Sequence, residues 1–289
     1  MKASTVSQSS ALPKVVVVMP AYNAAKTIQK TYADIPAGIV SQIILVDDVS
    51  QDETVTIAQQ LGMQVVVHIQ NRGYGGNQKT CYLHALAADA DIVVMLHPDY
   101  QYDSRLIPEL IQPIEDGRAD LVLGSRFLSS GTLAGGMPLY KYISNRFLTM
   151  SENLVLRQHL SECHTGFRAY SRRLLETIPF VLNSENFVFD TQVIVQAVAF
   201  GFKIAEIAVP TRYFKEASTV NFQRSVVYGL GTVGALFEYS LDRTGLKKSA
   251  RLRKKLGQVI SRYHRQRLLR LEKPTDDEPP SPYPISLEL

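Results

Sequence analysis

Cysteine is nearly missing from this 289-residue chain, which has only Cys81 and Cys163. Two thiols build neither a disulfide framework nor a cysteine-ligated metal cluster, and they fit a reducing compartment. Long apolar runs are missing too. A bilayer span needs ~18 consecutive apolar residues, and the nearest approach, Val226 to Leu241, is interrupted by glycines and Glu238. The first stretch, Met1 to Leu12, is rich in Ser and Thr and has no apolar core of the secretory type. There is no internal repeat. There is also no phosphate loop of the Walker type, because Lys79 lacks the Gly-Lys-Ser/Thr context. What remains is an ordinary globular composition, 45% hydrophobic and 20% charged, expected to give a soluble cytoplasmic body.

The net charge of +4 is unevenly placed. Between Arg243 and Lys273 stand twelve Lys/Arg and a single acid, so the rest of the chain is net negative. Within that segment Leu256, Val259, Ile260 and Tyr263 recur at helical spacing among the cations. Such a pattern predicts an amphipathic helix drawn to an anionic membrane surface. A solvated charged face and nucleic-acid binding are the other readings of a charge run; we expect the membrane and no nucleic acid. The small-residue stretch Val226 to Leu241 could pack on the body, lie in the interface or meet a membrane partner protein. The ends, 1–13 and 274–289, are expected to be disordered, the latter because it combines prolines with acids.

From Lys14 to Leu123, strand and helix alternate. Apolar β-branched runs at 14–19, 42–46, 63–69, 91–96 and 120–123 read as buried strands. Helices are expected at 24–33, where Asn23 would cap, and after Ser50-Gln51-Asp52-Glu53, which has capping-box spacing. Others are expected from 77 to 88 after a flexible loop at 71–76, and over 104–115. That rhythm defines an α/β fold with a mostly parallel, Rossmann-like sheet flanked by helices. Beyond Gly124 it breaks into a Gly/Ser-rich loop at 129–137, helices at 141–156, near Arg172 and at 190–200, and a late strand at 203–209.

Polar groups collect where three predicted strands end: Pro20-Ala21-Tyr22-Asn23, Asp47-Asp48, and His97-Pro98-Asp99-Tyr100-Gln101-Tyr102-Asp103. Right-handed crossovers bring all three to one sheet edge, where open α/β sheets keep their ligands. Oxygen donors such as Asp99 and Gln101 suit Mg2+ or Mn2+ shared with a substrate phosphate. Cys163-His164 lacks an oriented third member and reads as a structural pair, and His68 and His84 as buried bystanders.

With these motifs in sequence, and with Asn71-Arg72-Gly73-Tyr74-Gly75, Gly124-Ser125-Arg126-Phe127, Thr165-Gly166-Phe167-Arg168-Ala169-Tyr170 and Arg212-Tyr213-Phe214-Lys215, the chain resembles family 2 glycosyltransferases of GT-A fold. Within them it is similar to the dolichyl-phosphate (polyprenyl-phosphate) mannosyltransferases. The resemblance spans Val15 to Leu241. It implies a GT-A catalytic domain over 14–218 and an apolar and basic helical segment over 219–273. It also implies that Pro20, Tyr22, Asn23, Leu45, Asp47, Asp48, Asn71 and Gly75 bind the nucleotide-sugar donor. Asp99, Gln101 and His97 would hold Mg2+ or Mn2+, and Arg126, Arg168 and Arg212 would grip phosphates, which guanidinium forks meet bidentately. Two positions depart from the pattern: His97 replaces the first acid of Asp-X-Asp, and Ala24 replaces a Glu.

The implied reaction is transfer from a nucleoside-diphosphate sugar to a polyprenyl phosphate, with inversion, on the cytoplasmic face of a membrane, in glycan or cell-envelope synthesis. Asp99 would serve the departing diphosphate. An ionised phosphate acceptor needs no base, whereas a polysaccharide or other hydroxyl acceptor would need one, for which Asp190 and Asp103 are the candidates. A non-catalytic nucleotide-sugar-binding scaffold is the reading from another class.

Overall fold

The structure, a computed structural model, describes residues 12–129, 137–210 and 222–271. The expectations for both chain ends, for most of the 129–137 loop and for Arg212 and its motif fall outside them. In chain order the elements are β1 (Val15–Ala21), α1 (Ile28–Ala33), β2 (Val40–Asp47), α2 (Thr54–Gln60), β3 (Gln64–Val67), α3 (Gly73–Ala87), β4 (Ile92–Met95), α4 (Ile107–Glu115), β5 (Leu121–Ser125), α5 (Leu139–Leu156), β6 (Arg168–Ser171), α6 (Arg172–Thr177), α7 (Phe189–Ala199), β7 (Ile204–Ala208), α8 (Phe222–Thr244) and α9 (Lys254–Leu271).

The seven strands form one sheet in the order β3-β2-β1-β4-β6-β5-β7. β1, β2, β3 and β4 run parallel, as do β5 and β7, and β6 is antiparallel to both neighbours. Both sheet faces are covered, so the central strands are apolar throughout rather than alternating. Val16, Val18, Ile44 and Val46 pack under α3 and α7, while Val15, Val17, Met19 and Leu45 pack against α1 and α4. Parallel β1, β2 and β4 therefore end at one edge, as the alternation predicted.

The sequence reading errs where short-range signals compete with long-range bonds. Asn23 does not cap a helix. It takes a left-handed φ of 52°, which Asn tolerates, and its Oδ1 accepts from the Gln51 backbone N–H at 2.8 Å. Nor do Ser50 and Glu53 form a capping box: Glu53 is the N-cap without a side-chain bond, and the Ser50 hydroxyl accepts from Asn23 N–H at 2.8 Å. The 71–76 loop is mostly helix, since α3 already starts at Gly73. β6 carries no apolar run and was not expected; it is placed by pairing between β4 and β5.

Helix α9 is amphipathic as predicted, but one face is docked on the body rather than left open. A Cβ on Gly257 would lie 2.0 Å from the Thr177 carbonyl oxygen, so only glycine permits this approach of α9 to the end of α6. Ser261 and Leu268 are buried along the same face, whereas Val259 and Tyr263 point outward. Arg265 ties the helix to Asp89 and, at 3.8 Å, to Glu176.

His68 and His84 lie in the core. His68 bridges Asp48 and Thr80 at 2.8 and 2.9 Å. Neither ring nitrogen of His84 has a hydrogen-bond partner among the described residues, and burial, aided by His68, pushes its pKa down from 6.5 to about 4. The unfolded chain takes up this proton at higher pH than the folded one, so stability falls as pH drops from 6.5 towards 4. Urea titrations at pH 7.5 and 4.5 should show a loss of roughly 2–3 kcal/mol that His84→Leu removes.

Candidate active site

The edge at the ends of β1 and β2 is cross-braced by backbone-directed side chains. Ala24 N–H donates to the Thr54 hydroxyl at 2.7 Å, and Ala25 N–H to Asp52 at 3.1 Å. Ser50 N–H donates to Asp47 Oδ2 at 2.8 Å. Between them Val49 sits at φ 68°; a β-branched residue held there costs of order 1–3 kcal/mol. The two adjacent acids then divide. Asp48 uses Oδ1 to accept from His68 and the Arg72 N–H, both at 2.8 Å, and Oδ2 to accept from Gly73 N–H at 3.0 Å. It thereby closes the start of α3. Asp47 is buried, and its Oδ1 has no hydrogen-bond partner among the described residues. An orphaned acceptor at a strand end is an opening for a ligand donor.

The other expected donor contacts are spread more widely. Tyr22 is exposed at 57% beside Asn23. Pro20 and Leu45 are buried in the sheet, Leu45 completely. Asn71 donates to the Asp48 carbonyl at 3.0 Å and accepts from Gly73 N–H. Gly75 is covered by the 184–186 segment: its N–H donates to Glu185 O at 2.8 Å, and a Cβ there would lie 2.3 Å from Ser184 O. Lys79 secures that segment by donating to Asn183 O and Glu185 at 2.5 and 2.6 Å.

At the end of β4 stand His97 and Asp99. The Asp99 carboxylate accepts from Gln101 N–H at 3.1 Å, and Tyr100 between them adopts φ 60°. Burial pushes the Asp99 carboxyl up and the His97 imidazole down, which favours a neutral ring with a lone pair. His97 lies against Gly166, where a Cβ would be 2.7 Å from its Cδ2 and 2.9 Å from its Nε2. Carboxylate and imidazole form a mixed oxygen–nitrogen donor set, which fits Mn2+ better than Mg2+. Among the described residues no group of three His, Cys, Asp or Glu forms a closed metal cage, so an ion here would complete its shell from other donors such as Gln101, water or substrate.

The remaining candidates are firmly engaged. Asp103 caps the 3-10 turn Ser104–Leu106 and pairs with Arg105 at 2.7 Å. Asp190, at the start of α7, accepts from the Tyr74 hydroxyl at 2.8 Å and from Gln78 at 3.2 Å, and lies 3.5 Å from Arg168. Arg168 is fully buried and donates to the carbonyls of Thr165 and Cys163 at 2.7 and 3.1 Å. Arg126 is clasped by Glu162 and donates to His164 O at 2.9 Å. Burial alone would raise the Glu162 carboxyl, but Arg126 and Asn145 outweigh it and hold it below the usual range. Cys163 is buried with its thiol pushed well up by that burial, and the His164 ring lies between Tyr228 at 2.5 Å and Glu152 at 3.1 Å; the pair is structural, as expected. Sequence reasoning missed Tyr74, Gly166 and Glu162. Tyr74 and Gly166 lie inside quoted motifs, and their part comes only from contacts to His97.

Residues 16–178 match the model of "Glycosyl transferase family 2". That is over half the chain, and the protein belongs to this family. Among relatives, the uncharacterized protein MJ1222 of Methanocaldococcus jannaschii is 30% identical over 69% of this chain and 82% of its own. The UDP-N-acetylglucosamine–dolichyl-phosphate N-acetylglucosaminyltransferase of Methanococcus voltae is 27% identical over 68% of this chain and 84% of its own. Glycosyltransferase AglD of Haloferax volcanii is 29% identical, but the match spans only 32% of its length. Among solved structures, glucosyl-3-phosphoglycerate synthase of Mycobacterium tuberculosis superposes with a TM-score of 0.62 at 22% identity over 82% of each chain. The fold is that of GT-A enzymes, and the protein is a family 2 glycosyltransferase.

The Gly166 contact yields a test. Gly166→Ala must displace the His97 ring, and a 1 Å misplacement of a site group costs about 100-fold in rate. Transfer activity should fall by that order while the melting temperature moves by only a few degrees; unchanged activity would place His97 outside the reaction.

Proposed function

We propose that this enzyme moves a sugar from a nucleoside-diphosphate sugar to a polyprenyl phosphate at a membrane surface. The observation that carries the acceptor assignment is the state of the two carboxylates nominated as a base. Asp190 and Asp103 are both tied to arginine and to hydrogen-bond donors. A hydroxyl acceptor needs such a base, whereas a lipid phosphate is already ionised and attacks without one. The Methanococcus voltae relative is named for a dolichyl-phosphate acceptor, which supports the same choice over a polysaccharide acceptor.

On the donor side, Asp47 Oδ1 accepts from the base or ribose and Tyr22 supplies an aromatic wall, with Asn23 and Asn71 bracing the two loops. Asp99 and His97, with Gln101, are the residues that would hold Mg2+ or Mn2+. When bound, the ion neutralises charge developing on the departing diphosphate, a contribution that dominates in such sites. Another crystal structure of the mycobacterial synthase holds Mn2+, uridine diphosphate and phosphoglyceric acid, in keeping with this assignment. Arg126 and Arg212 are the phosphate-facing cations of the reading, Arg126 only if Glu162 yields one of its hydrogen bonds.

Membrane attachment has a better surface than the basic tail. Among the described residues no helix is long and apolar enough to cross a bilayer. However, α5 and α8 pack together, with Gly229 against Leu148, and each leaves an apolar stripe exposed. On α5 these are Ile143, Phe147, Met150 and Leu154; on α8 they are Val227, Leu230, Val233 and Phe237. The acids of the two helices, Glu152, Glu238 and Asp242, are buried or paired with His164, Arg251 and Arg253. Exposed Arg146, Arg157, Arg243, Lys247 and Lys248 flank the stripes. This is the anatomy of helices lying in a bilayer interface, with cations reaching anionic headgroups, on the cytoplasmic face where nucleotide sugars occur.

Two measurements test the proposal. Transfer assayed with a panel of nucleotide sugars, with and without polyprenyl phosphate, in Mg2+ or Mn2+, should require the lipid. Asp99→Asn should lower it by about 100-fold or more, and full activity in that variant would end the metal assignment. In vesicle flotation with anionic lipid, Phe147→Glu combined with Leu230→Glu should cut binding at least about tenfold, since each buried side chain contributes ~2 kcal/mol. Undiminished flotation would assign attachment elsewhere.

A further inference from the structure

His97 is where this chain departs from the usual acidic pair, and the structure shows what surrounds the imidazole. Its ring stacks on Tyr74 with centroids 5.5 Å apart and planes at 15°. Tyr74 is itself packed on Phe187. The Tyr74 hydroxyl lies 2.8 Å from Asp190 Oδ2 and 3.4 Å from His97 Nε2. A hydroxyl has one proton and two lone pairs. The shorter contact, to a carboxylate that cannot donate, takes the proton. The oxygen then offers His97 only a lone pair, which a hydrogen on Nε2 would meet and a second lone pair there would not.

The arrangement leaves little freedom. A phenol, with an ordinary pKa of about 10, carries its proton at neutral pH. Asp190 cannot turn away, because Gln78 donates to its other oxygen at 3.2 Å and the buried Arg168 sits 3.5 Å from Oδ2. Gln78 is fixed in turn by the Tyr82 hydroxyl, which donates to its Oε1 at 2.8 Å. The Nε2–Cδ2 edge of His97 is also the edge packed on Gly166, so it faces the protein interior. The opposite edge, with Nδ1, is the one left for a ligand.

We propose that Tyr74, held by Asp190 and Arg168, is a positioning residue that fixes His97 as the Nε2–H tautomer and makes Nδ1 its electron-pair donor to a divalent cation. The inference rests on the nucleotide-sugar reading for the identity of the ion's site, but not for the tautomer. It gives Asp190 a task other than general base. It also explains how a histidine can stand where an acid is usual: a carboxylate offers an oxygen in either orientation, whereas an imidazole must have its proton placed on the correct nitrogen.

The test has two arms. In 15N-histidine-labelled full-length protein without metal, the 15N–1H correlation pattern should show His97, assigned by its loss in His97→Asp, as Nε2–H alone; Tyr74→Phe should give a mixture of tautomers. With Mn2+ and uridine diphosphate, electron paramagnetic resonance should show nitrogen coupling from the labelled ring. Tyr74→Phe should weaken Mn2+ binding by about tenfold, the usual result of losing an outer-shell partner. Tyr74→Phe should have no further effect in the His97→Asp background, because no tautomer is left to set. A His97 Nδ1–H form in the parent protein, or an equal Tyr74→Phe effect in both backgrounds, would overturn the proposal. Failure of the functional reading looks different: no nucleotide sugar would be turned over, with the tautomer result intact.

Discussion

The buried ion pair between Arg168 and Asp190 is the constraint on which the candidate site and the elements around it depend. Arg168 sits on the antiparallel strand β6, fully removed from water, and Asp190 opens α7 beneath the sheet edge. A buried guanidinium is tolerable only when its donors are satisfied, and loss of one partner typically costs 3–5 kcal/mol. Here the donors reach the carbonyls of Cys163 and Thr165 as well as Asp190. The pair therefore anchors the 163–166 strap, and with it Gly166 against His97 and Glu162 against Arg126. Tyr74, from the start of α3, joins through the same carboxylate. Four separate parts of the chain are held in register by one desolvated charge pair and its hydrogen bonds.

Around that pivot the acidic residues fall into two groups. Asp48, Asp103, Asp190 and Glu162 are saturated by backbone N–H groups, hydroxyls or arginines and hold structure. Asp47 and Asp99 keep acceptor capacity at the ends of β2 and β4, which the parallel sheet brings to one edge. The chemistry of the site follows from this division. In the proposed reaction the carboxylates engaged by the protein hold the site's structure, and those left open face the donor nucleotide and a cation. A reaction whose nucleophile arrives already charged suits such an edge.

Amphipathic helices show a similar division of labour. α9 has the stronger charge pattern, yet Gly257, Ser261 and Leu268 seat it on the body and Arg265 pins it. α5 and α8 look less polarised in sequence, and their outward stripes become visible only when their inner faces are seen to be occupied by each other and by α7. A helix with apolar residues all round reads as buried; one with an inner contact and an outer apolar stripe is amphipathic towards a second environment.

Much of the protein is legible in the sequence. The alternation of β-branched runs and helices specifies the parallel sheet, and Pro20–Asn23, Asp47–Asp48 and His97–Asp103 mark the edge where the proposed site lies, because a strand's end and a helix's start are local events written in a few residues. The family motifs add the enzyme class. The tertiary structure alone decides which of those polar residues remain open. Asp47 and Asp48 are neighbours of one type, yet one closes α3 and the other is orphaned; Asn23 and Ser50 carry capping signals that bonds between distant loops override. β6, the Gly166–His97 contact and the Tyr74–Asp190–Arg168 network are likewise absent from any local pattern. Their partners are 22 to 116 residues apart along the chain, and a side chain's hydrogen-bonding capacity is allotted by whatever the fold places beside it.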